Sequence, residues 1–258
     1  MNEAYDEPFA GLSDDDLVLI GKVQRLRMPA MASKLREHLS DGNKEVLSFR
    51  ERIKDMIDAE TDSRATKKIN RCIKQATLKY PEATLDEKLN FPERGIDPVF
   101  ISRLSECHWI REGKILTITG MTGTGKSYVA CALAVCAIQQ YMDVKYIRMS
   151  QLMNEIEVAK AEKTIIGYQN RMAAYDLLII DDFGLSEKLS LTDCNRMLEI
   201  LESRDQRRAT IITSQFPRKD WYQLFKDNTY ADSCMDRIVK GNLRLELKGP
   251  SLRGTTSR

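Results

Sequence analysis

Eight consecutive residues constrain this chain more than any other stretch: Gly120, Met121, Thr122, Gly123, Thr124, Gly125, Lys126 and Ser127. They fit the spacing Gly, four residues, Gly, Lys, then Ser or Thr. Glycines let a backbone bend tightly around phosphate oxygens and turn several N–H groups inward. A helix opening directly from such a loop adds positive potential where an anion sits. Lys126 then supplies a point charge for the β- and γ-phosphates of a nucleotide, and Ser127 an oxygen for Mg²⁺. The flanks fit this reading. Lys114 to Thr119 is a short β-branched run that reads as a buried strand, and Tyr128 to Tyr141 is rich in Ala, Leu, Val and Cys, as a broadly buried helix would be.

A second constraint lies downstream. Asp176-Leu177-Leu178-Ile179-Ile180-Asp181-Asp182 is an uninterrupted apolar run closed by two carboxylates. Such a run marks a strand buried on both faces, and open α/β sheets bind ligands beyond the C-terminal ends of their strands. Asp181 suits outer coordination of the Mg²⁺ that Ser127 would hold, and Asp182 suits polarising an attacking water. Thr210 to Gln215 reads as another strand, which would bring Gln215 beside the γ-phosphate to orient water; a polar strand end before Pro217 is the alternative. Val144 to Ile147 and Asn242 to Leu247 supply further strands, with helices between them, including one capped by Ser150. Residues 98–258 thus read as an α/β domain on a parallel sheet with helices on both faces. Few residues follow the last strand, so a C-terminal helical lid is not expected.

The first 80 residues read differently. Ser13 with Asp14, Asp15 and Asp16, and Ser48 with Glu51, are helix starts. Pro29 restarts the first helical pattern, Asp41-Gly42-Asn43 reads as a turn, and a long helix is expected from Phe49 to about Ala76. Residues 1–80 are therefore expected to form a small all-helical domain. Residues 81–97 hold Pro81, Pro92 and Gly95 and read as a linker, packed down by Leu85, Leu89 and Phe91. On the long helix Arg64, Lys67, Lys68, Arg71 and Lys74 recur at three- and four-residue spacing with no acid among them. That stripe suits the phosphates of a nucleic acid, since like charges so placed repel one another and fit a solvated face less well; a solvated face and an acidic protein partner are the alternatives.

Whole-chain composition narrows the classes. The net charge is only +2, so any DNA contact must come from local clustering. No apolar run approaches the ~20 residues of a membrane span. The acidic, polar start at Met1 to Pro8 is no secretory leader, and the six cysteines form no Cys-x-x-Cys pair, which suggests reduced thiols in the cytoplasm. His38 and His108 lie far apart, without the clustered ligands a zinc site needs.

With these pieces placed, the chain resembles the IstB-like helper ATPases of insertion-sequence transposition, an AAA+ family related to the helicase loader DnaC and the initiator DnaA. The resemblance covers most of the chain. Arg27 to Ala32 is similar to the family's N-terminal helical segment, Gly120 to Ser127 to its phosphate loop, and Asp176 to Gly184 to its acidic motif. Thr213-Ser214-Gln215 falls at the sensor strand, Trp221 at a tryptophan that follows, Asp236-Arg237 at an Asp-Arg pair, and Gly249 to Arg253 at a terminal Gly-x-Ser-x-Arg pattern. The resemblance implies an ATPase that assembles as a homo-oligomer with ATP at subunit interfaces, binds duplex DNA and assists the transposase of the same element. It makes Arg237 an arginine finger reaching a neighbour's γ-phosphate, with a salt bridge on its own helix as the alternative. Arg253 could also reach a subunit boundary. Asp182 stands where many relatives carry the longer Glu, so hydrolysis by the isolated protein is expected to be slow. Two rival functions remain open: loading of a replicative helicase, and a small-molecule kinase, for which neither an acceptor pocket nor a mobile lid is visible.

Overall fold

The run Leu177–Asp181 is fully buried, and its environment organises the larger part of the molecule. In the computed structural model it is strand β3 of a five-stranded sheet with spatial order β2-β3-β4-β1-β5. The other strands are β1 (Ile115–Gly120), β2 (Val144–Arg148), β4 (Ala209–Ser214) and β5 (Leu243–Leu247), and every pairing is parallel. The structure describes residues 12–40, 47–86, 92–185, 191–224, 228–239 and 243–252. Asp41-Gly42-Asn43, Leu89, Phe91 and Arg253 lie outside the described residues.

Each crossover carries helix: α6 (Lys126–Gln139), α7 (Met149–Ala161), α8 (Ile165–Ala174), α9 (Leu191–Arg204) and α10 (Asn228–Val239). Side chains alternate across a strand, so each strand serves two cores. Leu178, Ile180 and Ile212 join a cluster with Leu152 and Ile156 of α7, Tyr168 and Met172 of α8, Ile200 and Leu201 of α9, and Ile238 of α10. Helix α6 contacts β1, β2, β3 and β4 and is apolar almost all round, with Val129, Leu133, Ala134 and Ile138 fully buried. Each such Leu or Ile contributes ~1.5–3 kcal/mol by leaving water. This is the expected α/β architecture with a parallel sheet.

Before β1 the chain forms two short helices, α4 (Pro98–Ser105) and α5 (His108–Arg111), with Cys107 at φ +60° between them. One local detail differs from expectation. Helix α7 starts at Met149 directly from β2, with Arg148 rather than Ser150 at its N-cap position and no side-chain cap.

Residues Met1–Asn70 and Arg71–Arg258 form two compact units, and the division falls inside the long helix α3 (Phe49–Ala76). The first unit contains α1 (Asp14–Arg25), α2 (Pro29–Ser40) and most of α3. Both expected capping pairs are present: Ser13 with Asp16, and Ser48 with Glu51. A third device was not legible in the pattern. Buried Glu60 accepts hydrogen bonds from the amides of Ala30 (2.9 Å) and Met31 (3.2 Å), capping α2 from another helix. Arg64 completes it, donating Nε to Glu60 at 2.8 Å and a terminal nitrogen to Arg27 O at 3.0 Å.

The chain after Ala76 is tied into the second unit. Thr77 Oγ1 donates to Tyr146 O at 3.0 Å, the amide of Thr84 donates to Tyr128 Oη at 3.2 Å, and Ala83 and Ile96 are buried. Among the described residues no helix is long and apolar enough to cross a membrane, and no group of His, Cys, Asp and Glu side chains clusters as a metal site would.

Candidate nucleotide site

Strand order places the site. Strand β4 lies between β1 and β3, so its end emerges between the loop that leaves β1 and the acids that close β3. The loop turns into α6 through Gly125 at φ +100°, a left-handed conformation that leaves the helix start without a side-chain cap. Its first amides are thereby kept for an outside anion. A cleft of about 560 Å³ opens here, within the range of small-ligand sites. Its polar part is lined by Thr122, Lys126, Ser127, Arg148, Asp182 and Gln215, and its other part by Tyr80, Tyr128, Leu185 and Leu252.

Lys126 is buried at the root of the loop, where its ammonium donates to the carbonyls of Gly120 and Met121, both at 2.8 Å. Ser127 Oγ stands 2.9 Å from each carboxylate oxygen of Asp181. Asp181 is wholly buried and takes two further hydroxyl donors, Tyr146 Oη at 2.5 Å and Thr213 Oγ1. Three hydroxyls from three elements thus fix one carboxylate, as a buried charge requires. Burial first, and then the Asp181 carboxylate, push the Tyr146 phenol far above its ordinary value, so it remains a donor.

Asp182 follows at φ +61°, an uncommon conformation for a side-chain-bearing residue that turns the chain sharply out of the sheet. Its amide donates to Thr213 Oγ1 at 3.1 Å, the next amide donates to Thr213 O at 2.8 Å, and the side chain lines the cleft. Gln215 Oε1 accepts from Thr122 Oγ1 at 2.9 Å, which joins the end of β4 to the loop. These residues fit a Mg²⁺–nucleoside triphosphate by the chemistry of their donor set: an anion cradle, one ammonium, a hydroxyl beside a carboxylate, and a second acid at the open edge.

Of the residues singled out in the sequence, Lys126, Ser127, Asp181, Asp182 and Gln215 are brought together. Arg237 is not among the cleft-lining residues. It donates to Ser233 O at 3.0 Å and forms an ion pair with Glu202 of α9. Trp221 is buried in the core, with its ring 4.8 Å from that of Phe183 and its indole N–H on Phe216 O at 2.9 Å. The five basic residues all lie on α3 and are all exposed, with Arg64 engaged by Glu60 as described.

Tyr146 and Arg148 were missed from sequence. They sit two residues apart on β2, and Arg148 is the register partner of Asp181. The signal was present but weak: a strand end facing a ligand crevice is where such residues fall. Hydrogen bonding to Tyr146, with Asp182 and Asp181 nearby, holds the Arg148 guanidinium above its ordinary pKa.

Comparison with known proteins agrees with this geometry. The chain is 33% identical over 231 residues to the insertion sequence ATP-binding protein y4uH of Sinorhizobium fredii, covering 90% of this chain and 92% of that one. A second protein of that organism, the insertion sequence ATP-binding protein y4pL, is 34% identical over 239 residues, covering 93% and 97%. Among solved structures, DnaI is similar in fold, with a TM-score of 0.52 and 20% identity over 65% of this chain and 92% of that chain. The family described as IstB-like ATP binding protein matches residues 21–258. On that match the chain belongs to the IstB-like ATP-binding family.

Proposed function

We propose that this protein is a Mg²⁺-dependent ATPase that assembles on duplex DNA and assists the transposase of an insertion sequence. The observation that carries the reading is the convergence of Lys126, Ser127, Asp182 and Gln215 on one cleft, with buried Asp181 held against Ser127, in a chain whose relatives are named insertion sequence ATP-binding proteins.

In this reading each residue has a physical task. Amides of residues 120–127 and the Lys126 ammonium bind and neutralise the triphosphate. Ser127 and Asp181 would hold Mg²⁺, which would supply charge neutralisation for the triphosphate. Asp182 accepts a proton from the attacking water at the cleft edge, and Gln215, steadied by Thr122, orients that water. Arg237 serves a neighbouring copy, exchanging Glu202 for the charge that develops on the neighbour's phosphoryl oxygens. Nucleotide between subunits thereby drives assembly. Lys67, Lys68, Arg71 and Lys74, repeated over many subunits, contact DNA phosphates without reading bases, so modest charge per chain suffices.

The test is duplex binding followed by fluorescence anisotropy with and without ATP, across a salt series and on unrelated sequences. The reading expects ATP-dependent binding, a steep salt slope, little sequence preference, and loss of all three in Lys126→Ala. Tight ATP-independent binding to a hexameric helicase with no affinity for duplex would replace this function with helicase loading.

A further inference from the structure

The chain segment after β5 is built into the phosphate loop. The amide of Leu252 donates to Gly123 O at 2.9 Å. A Cβ on Gly123 would stand 2.0 Å from Ser251 Oγ and 2.7 Å from Ser251 Cβ, so Ser251 occupies the space that a side chain there would fill. Leu252 Cδ1 lies 3.3 Å from the corresponding point on Gly125. A third tie comes from Arg94, which is 7% exposed. Its Nη1 donates to Thr124 O at 3.2 Å and to Pro250 O at 3.4 Å, and its own carbonyl accepts from the amide of Lys248 at 2.9 Å. One guanidinium therefore joins the loop to the segment that crosses it.

A phosphate loop works when its amides are already convergent. Left to itself, a run with glycines at 120, 123 and 125 has many other conformations, and ordering it on binding would weaken affinity. Gripping carbonyls from outside prevents this. In a trans peptide the N–H points opposite to the C=O, so holding Thr124 O aims the N–H of Gly125 the other way, and Gly125 lines the cleft. The guanidinium also polarises that peptide in the sense that favours an anion at the N–H.

We propose that Arg94 and Pro250–Leu252 are positioning residues of the nucleotide site: they hold the phosphate loop preorganised for a polyphosphate. This rests on the reading that the cleft takes a nucleoside triphosphate. Ser251 and Leu252 give the Gly-Pro-Ser-Leu stretch after β5 a task at the loop, and Arg94 gives one to a residue that composition assigned to a linker.

The experiment is calorimetric titration of the full chain with Mg²⁺–ADP and with a non-hydrolysable ATP analogue, for Arg94→Met, Arg94→Lys, Leu252→Pro and Lys126→Ala. Arg94→Met is expected to bind about 10- to 100-fold more weakly, the loss that goes with a hydrogen bond from a charged group, and Arg94→Lys to recover part of it. Leu252→Pro removes the donor to Gly123 together with the side chain beside Gly125 and is expected to lose about 3- to 10-fold. Amide exchange at residues 121–125 should accelerate in both without nucleotide, beyond any change at amides elsewhere in the second unit. Should Arg94→Met fail to fold, Leu252→Pro decides. Unaltered affinity and unaltered loop exchange in Leu252→Pro overturn the proposal. No nucleotide binding by the unmodified chain overturns the site reading beneath it instead, and Lys126→Ala marks that case.

Discussion

Replacing Tyr146 by Phe removes one oxygen from the centre of the site and leaves the ring where it packs. The interactions removed are the 2.5 Å hydrogen bond to Asp181 and the hydrogen bond between Arg148 and the phenol. Hydrogen bonds to charged groups contribute ~1.5–3 kcal/mol, so the second unit should lose about that much stability. For a domain of this size that is a fall of about 3–10 °C in melting temperature. Asp181 keeps its donors from Ser127 and Thr213, so its charge is not orphaned and the unit still folds. What changes is orientation. With Oδ2 left to the shared Ser127 hydroxyl alone, the carboxylate is held less tightly, and misplacement of the order of 1 Å costs ~10²-fold in rate. We expect phosphate release from Mg²⁺–ATP to fall about 10- to 100-fold in Tyr146→Phe, the Mg²⁺ midpoint to rise, and ADP affinity without metal to stay close to the unmodified value. The assay is steady-state phosphate release across a Mg²⁺ series, beside metal-free ADP titration and thermal melts. Because burial and Asp181 push the phenol upward, it stays protonated from pH 7 to pH 10, and the unmodified protein should show no break in Mg²⁺ midpoint from this group. A variant that melts earlier yet keeps its rate and Mg²⁺ midpoint within about 2-fold would refute the orienting role and leave Tyr146 as packing alone.

Other consequences can be checked separately. Arg204 is buried and donates to Met172 O, Ala173 O, Tyr175 O, Ala209 O and Thr210 Oγ1, tying the end of α8 to the start of β4; Arg204→Met should remove these bonds and cost at least ~1–3 kcal/mol in denaturant melts of the second unit. Lys67→Ala, Lys68→Ala and Arg71→Ala together should weaken duplex binding on all sequences alike and lower the log–log salt slope by ~0.9 for each phosphate no longer neutralised, whereas Arg64→Ala should chiefly destabilise the first unit. Burial opposes the charge on Glu60, but hydrogen bonds from Arg64 and from the amides of Met31 and Ala30 outweigh it and hold the carboxyl below its usual range. A depressed carboxyl stabilises the fold above its unfolded pKa and loses that contribution as pH falls through the folded value. The first unit should therefore melt earlier as acid is added below the ordinary Glu range, and Glu60→Gln should flatten that dependence.

Much of this site was legible because its chemistry is written locally. The loop from Gly120 to Ser127, the apolar run closed by Asp181 and Asp182, and the polar end of β4 each declare a strand end by composition, and parallel sheets gather strand ends on one edge. What stayed hidden depends on neighbours distant in sequence. Tyr146 reaches Asp181 only because β2 lies beside β3, and Arg94 reaches the phosphate loop only because the chain after Ala76 folds back into the sheet domain. Glu60 looked like one acid in a mixed-charge helix until its carboxylate was seen on the amides of Ala30 and Met31. Arg64 sat in a basic stripe by spacing, yet part of its charge is spent on Glu60. Periodicity reports which face a residue occupies, not which partner waits there.

The central claim is that nucleotide held between subunits joins copies of this chain into an assembly that grips duplex DNA. Electron microscopy of the purified protein with long duplex tests it most directly, with ATP, without ATP, and with Lys126→Ala. The account predicts ordered multi-subunit particles on the DNA only with ATP and the unmodified chain. Single, DNA-free particles in the presence of abundant ATP and duplex would contradict it.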